Sequence, residues 1–105
     1  SGSRMPNFPP VPLSVETPTY RSSPISQRVG KEVWLKMECF QPTGSFKIRG
    51  IGHLCRHYAA QGVRHLVASS GGNAGLAVAY AGRLLGLAVT VFVPEGTGED
   101  TLARL

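Results

Sequence analysis

A chain of 105 residues with 42% hydrophobic residues and thirteen glycines is one small domain at most, able to bury about 65% of its unfolded surface, and its composition excludes a disordered polymer in favour of a globular α/β chain. The formal charge of +5 comes from cations scattered between Arg21 and Arg104 without a basic run, which argues against nucleic acid as a partner. No apolar run is long enough for insertion into a membrane.

Ser1 to Arg4 reads as an appended stretch ahead of a native Met5. Four prolines between Pro6 and Pro12 predict an extended lead-in. Thr17-Pro18 offers an N-cap with proline at the first helical position, so a short helix is expected through roughly Ser26 to Val29, ended by Gly30. Glu32 to Glu38 alternates, with Val33, Leu35 and Met37 on one side and Trp34 and Lys36 on the other, and predicts a strand in which Trp34 packs. Gly44-Ser45 then caps a helix whose Ile48, Ile51, Leu54, Cys55 and Tyr58 recur at helical spacing up to Gly62, one face of it core.

His65 to Ser69 predicts a buried parallel strand, and Ser69-Ser70-Gly71-Gly72-Asn73-Ala74-Gly75 a strand-to-helix turn. The alanine-rich helix from about Asn73 to Leu85 stops at Gly86. Ala88 to Val93 supplies another buried strand closed by Pro94, and a last helix begins at Thr97 or Gly98. Strand and helix alternate as in a right-handed parallel α/β layer, a parallel sheet with flanking helices.

Two segments carry candidate chemistry. Lys47, in Gln41-Pro42-Thr43-Gly44-Ser45-Phe46-Lys47-Ile48-Arg49-Gly50, stands where a turn opens into a helix, between apolar Phe46 and Ile48 and beside Arg49. Those are the surroundings of a lysine that joins an aldehyde cofactor as an imine, although an ordinary surface lysine at a helix start has the same spacing. The Ser70 to Gly75 turn offers backbone N–H groups at a helix N-terminus, a site for a carboxylate or phosphate, or glycines that merely make a tight turn. It is neither the dinucleotide fingerprint nor a P-loop, since GxGxxG and the GK[ST] ending are absent. Asn73 adds a neutral donor for a phenolate or carboxylate oxygen.

The remaining polar residues read as supporting ones. His53 and His57 are four apart on the helix after Lys47 without a third ligand, so they are solvated or capping and no metal is expected. His65 is a surface residue before a strand, and Arg49 a helix-surface charge or a phosphate ligand. Cys39 and Cys55, sixteen residues apart with no second CxxC pair and no signal peptide, read as reduced buried thiols of a cytoplasmic protein.

Together the two segments resemble the fold type II family of pyridoxal-phosphate enzymes, and within it the serine/threonine dehydratases, over a stretch from about Thr17-Pro18 to Pro94. The resemblance implies that Lys47 holds pyridoxal 5'-phosphate covalently. It implies further that Phe46 lies against the cofactor ring, that Asn73 bonds the ring's 3-oxygen, and that Ser70, Gly71, Asn73 and Ala74 bind the substrate carboxylate. Threonine synthases commonly carry an aspartate after the lysine, where Ile48 stands here. The segment from Gln41 to His53 looks most like L-serine dehydratase and its serine-dehydratase-like relatives, with serine racemase the nearest competitor and threonine dehydratase another.

The implied activity is elimination of water from L-serine or L-threonine to a 2-oxo acid and ammonia, in a homodimer acting on a small amino acid. Residues 5–40 would then belong to a large domain and residues 41–105 would begin a small one. In that family the phosphate loop and the partner of the pyridine nitrogen lie well beyond position 105. The expectation is therefore an N-terminal portion, inactive by itself, with a non-catalytic binding or assembly module as the alternative.

Overall fold

The computed structural model describes residues 12–105, so the proline-rich lead-in before Pro12 and the residues ahead of Met5 lie outside the described residues. The order of elements is β1 (Thr19–Arg21), α1 (Ser23–Val29), β2 (Trp34–Lys36), a 3-10 turn (Glu38–Phe40), α2 (Lys47–Ala60), β3 (His65–Ala68), α3 (Asn73–Leu85), β4 (Ala88–Val91) and α4 (Glu99–Arg104). The strands form two separate pairs. β3 and β4 run parallel with Leu66 opposite Val89, α3 crossing between them. β1 and β2 run antiparallel with Tyr20 opposite Leu35.

The α/β class with a parallel sheet and flanking helices therefore stands, but β2 does not join the parallel layer. Its partner is β1, which falls where the sequence offered Thr17-Pro18 as a helix cap. The cap of α1 is instead Ser22, whose side chain accepts from the Ile25 amide, with Pro24 inside the first turn. That leaves Thr19–Arg21 free to pair as a strand. Gly30 does end α1, in the left-handed conformation at φ 72°, a position that favours glycine. Buried Ser26 ties the helix to the strand, its Oγ accepting from the Val33 amide at 2.8 Å.

α2 packs chiefly on α3. On α2 the buried positions are Ile48, Gly52 and Cys55, a four-and-three spacing that keeps them on one stripe. Leu54 and Tyr58, expected in that face, are 49% and 42% exposed. Among the described residues Ile48 is the one large side chain that is fully buried, which stabilises by about 1.5–3 kcal/mol. α3 buries only small residues, Gly75, Ala77, Ala81 and Gly82, of which Gly75 and Gly82 face β4.

β3 and β4 are covered on one face only. Leu66 and Ala68 are half-buried, whereas His65 and Val67 on the opposite face are exposed, Val67 at 62%. The expectation of strands buried on both faces is thus met on the α3 side alone, because no described element lies over the other. Trp34, expected to pack, is likewise exposed at 57%.

The approach of α3 to β4 is set at Gly82, where an added Cβ would lie 2.1 Å from Val89 Cγ2. Gly82→Ala is expected to lower unfolding stability by about 1–3 kcal/mol through overpacking. Gly50→Ala, with nothing within 4 Å of the new Cβ, is expected to raise it by up to about 1 kcal/mol through helix propensity. Denaturant titrations of the two variants check the pair of opposite signs.

Candidate active site

An open cleft of about 460 Å³ runs between β2 with its following 3-10 turn, the turn that leads into α2, and the first residue of α3. Its lining includes Met37, Glu38, Cys39, Ser45, Phe46 and Asn73. The structure thus brings Phe46 and Asn73, twenty-seven residues apart in sequence, to one concavity. Lys47 follows Phe46 directly as the first residue of α2, without itself lining the cleft. Ser70, Gly71 and Ala74 sit on the turn that carries Asn73 without lining the cleft.

That turn is tight for a stated reason. An alanine Cβ at Gly75 would lie 1.9 Å from the carbonyl oxygen of Ser70, so only glycine lets the chain fold back into α3 here. Ser70 Oγ accepts from the Gly72 amide at 3.2 Å. The amides of Asn73, Ala74 and Gly75, in the first turn of α3, take no acceptor among the described residues. They form the donor set available to an anion at a helix N-terminus.

Two sequence expectations need correction at Lys47. Ser45 is not the N-cap of α2; Phe46 is, with no side-chain capping bond, and Ser45 Oγ only accepts from the Lys47 amide at 3.4 Å. Nor does Phe46 wall off the lysine. Its ring is 61% exposed and Lys47 is exposed beside it, because the described residues supply one side of the cleft and not a cover over its rim.

The polar network next to the cleft was not legible as a unit in the sequence. Glu38 receives Arg49 Nε at 2.6 Å and Nη2 at 3.0 Å, accepts from the Thr17 hydroxyl, and lies 3.3 Å from Gln41 Nε2. Gln41 in turn reads both backbone groups of Val15, donating to its carbonyl at 2.8 Å and accepting from its amide at 2.9 Å. Glu38 and Arg49 are eleven residues apart across a turn, a spacing with no local periodicity to flag. Arg49, read from the sequence as a helix-surface charge or a phosphate ligand, has its guanidinium directed to a carboxylate.

Elsewhere, His53 and His57 are exposed, and no group of three metal-binding side chains occurs among the described residues. His65 opens β3 and contacts Thr90 Oγ1 at 2.8 Å. Cys39 is a free, exposed thiol and not the buried one the sequence suggested; Cys55 is free and buried, and burial pushes its thiol pKa up. No helix among the described residues is long and apolar enough to cross a membrane.

Comparison with known proteins decides the family. A model of the family described as "Pyridoxal-phosphate dependent enzyme" matches residues 12–105. The chain belongs to that family. A human serine dehydratase-like protein is 54% identical over 94 residues, covering 90% of this chain and 29% of the relative, and human L-serine dehydratase/L-threonine deaminase is 53% identical over the same lengths. Among solved structures, a fungal L-serine ammonia-lyase from Rhizomucor miehei superposes with a TM-score of 0.81 at 37% identity, covering 88% of this chain and 30% of that one. Maize serine racemase gives 0.80 at 33% identity, covering 89% and 29%. The chain thus spans under a third of the length of the relatives it matches.

The cleft fits the family's cofactor by its size and donor chemistry. Its volume is in the range of small-molecule sites, and it sets an exposed aromatic face at Phe46 and a neutral amide at Asn73 on one lining, with Lys47 next to Phe46 in the chain.

Arg49 first, and the Thr17 hydroxyl next, hold the Glu38 carboxyl down at about 2, from an ordinary 4.5. A folded-state pKa below the unfolded one means that the unfolded chain binds more protons between these values. The contribution is therefore complete above about pH 4.5 and lost as pH falls through about 2. Thermal unfolding across this window is expected to show a falling midpoint in the native chain and a flatter profile in Glu38→Gln.

Proposed function

We propose that the protein carrying this chain eliminates water from L-serine, and from L-threonine, to give pyruvate or 2-oxobutanoate and ammonia. The convergence of Phe46 and Asn73 on one cleft beside Lys47 carries this reading. The identity of 53–54% to a serine dehydratase-like protein and to L-serine dehydratase/L-threonine deaminase over these same residues supports it.

Pyridoxal 5'-phosphate, when bound, supplies the electron sink that makes the amino acid's α-proton removable. The chain's own residues do the rest. Lys47 holds the cofactor through its amine, and that amine, once free, takes the α-proton at Nζ. Phe46 offers an apolar face to the ring and Asn73 a donor to its 3-oxygen. Ser70, with Gly71, Asn73 and Ala74, receives the substrate carboxylate, where the free amides at the start of α3 favour negative charge.

Residues 5–40 then belong to a large domain and residues 41–105 begin a small one, a division supported by the two separate strand pairs among the described residues. The 105 residues alone are expected to turn over no substrate, because they provide the amine and the carboxylate site but not the whole enclosure. A cytoplasmic homodimer fits two free thiols and the exposed apolar surface at Trp34, Phe40 and Phe92. Serine racemase is the second reading, favoured by the superposition on the maize enzyme.

Treatment with pyridoxal phosphate and borohydride is expected to fix a pyridoxyl label on the peptide containing Lys47 and not in Lys47→Ala. Label undiminished in that variant, or found elsewhere, would refute the assignment. In a protein of the relatives' full length carrying these residues, Lys47→Ala is expected to lower pyruvate release from L-serine by about 10³-fold or more. Chiral analysis of the same reaction separates elimination from formation of D-serine.

A further inference from the structure

The helix that carries Lys47 opens poorly by its own sequence. Its first turn holds two cations, Lys47 and Arg49, no acidic residue, and an N-cap with no side-chain bond. At the positive end of a helix dipole that arrangement is unfavourable. The missing carboxylate is brought from outside the helix.

Glu38, on the preceding 3-10 turn, meets Arg49 through two nearly parallel bonds of 2.6 and 3.0 Å. A fork of this kind fixes orientation as well as distance. Arg49 Nη2 also reaches the Val15 carbonyl at 3.3 Å, so the same guanidinium fastens the start of α2 to the segment before β1. Two residues on a helix are about 200° apart around its axis. Arg49 therefore tethers one side of the turn while Lys47 leaves from the other, and Lys47 makes no ion pair among the described residues. Glu38 itself lines the cleft with Phe46 and Asn73, so the tether joins the cleft wall to the helix bearing the amine.

We propose that Glu38 and Arg49 are positioning residues for Lys47: the forked pair fixes the first turn of α2 against the cleft wall and so sets where the lysine amine stands. The proposal rests on the assignment of Lys47 as the cofactor-holding amine. Neither member of the pair acts on substrate or cofactor; both act through the backbone between them and Lys47.

The test uses the rate at which pyridoxal phosphate and borohydride label each lysine. The chain has three, Lys31, Lys36 and Lys47, and exposed Lys31, in the loop between α1 and β2, serves as internal control. Glu38→Gln and Arg49→Met are expected to slow labelling of Lys47 about tenfold, since small displacements of a reacting group cost rate steeply, with Lys31 unchanged. Arg49→Lys keeps the charge without the fork and is expected to fall between them and the native chain. Should Arg49→Met lose its helical circular dichroism, Arg49→Lys and Glu38→Gln carry the comparison.

Native labelling rates at Lys47 in folded Arg49→Lys and Glu38→Gln would overturn the proposal. So would a parallel change at Lys31 and Lys47, which would mark a general loss of structure. Absence of label from Lys47 in the native chain would instead refute the lysine assignment itself, and the positioning role with it.

Discussion

One carboxylate and one guanidinium connect the two halves of this fold. The β1/β2 pair and the β3/β4 layer share no strand, so their mutual placement depends on what joins the 3-10 turn to α2. Glu38 and Arg49 make that join, and Gln41 and Thr17 extend it to the segment ahead of β1. Half-exposed Arg49 would gain little from charge alone in water. The forked geometry and the satisfied polar neighbours around Glu38 give the contact its direction, and direction is what a site assembled from two strand pairs requires.

A second constraint, the size of side chains on α3, sets the thickness of the layer. Gly75, Ala77, Ala81 and Gly82 are buried, and the clearances at Gly75 and Gly82 leave no room for a methyl group. The helix therefore lies close on both β4 and the turn at Ser70. Close approach limits how much apolar area each residue can bury, and among the described residues the core holds a single large, fully enclosed side chain, Ile48. Close packing and the free amides at the start of α3 are consequences of one choice of small residues.

Much of this was legible in the sequence where the signal is local. Asn73–Leu85 announced itself by composition and by Gly86, which ends α3 at φ 72°, and Gly30 ended α1 in the same way. Thr19–Arg21 was hidden because three residues have no periodicity to read and Thr17-Pro18 carries a competing cap signal that tertiary pairing overrides. Exposure was the other blind spot. Trp34, Val67 and Phe92 read as core by type, yet whether an apolar residue is covered depends on elements far away in the chain, which no local pattern encodes. Of the candidate site, Phe46, Lys47 and Asn73 could be named from their segments, whereas Glu38 and Gln41 could not, since their meaning lies in contacts to Arg49 and Val15.

The residues proposed for the chemistry sit where elements begin, and the fold explains why. β3 ends at Ala68 and the chain must turn at once into α3, which exposes amides at the carboxyl end of a parallel strand, the usual place for ligands in such sheets. Lys47 likewise opens α2, so it needs no helix interior to accommodate it. Groups at the starts of two different helices can converge only if the helices are fixed in angle and in axial position. The packing of α2 on α3 fixes the first, and the tether from Glu38 to Arg49 fixes the second. A cleft built this way draws its geometry from the frame behind it, which is consistent with a wall that is well ordered by hydrogen bonds while its aromatic rim, at Phe46, stands open.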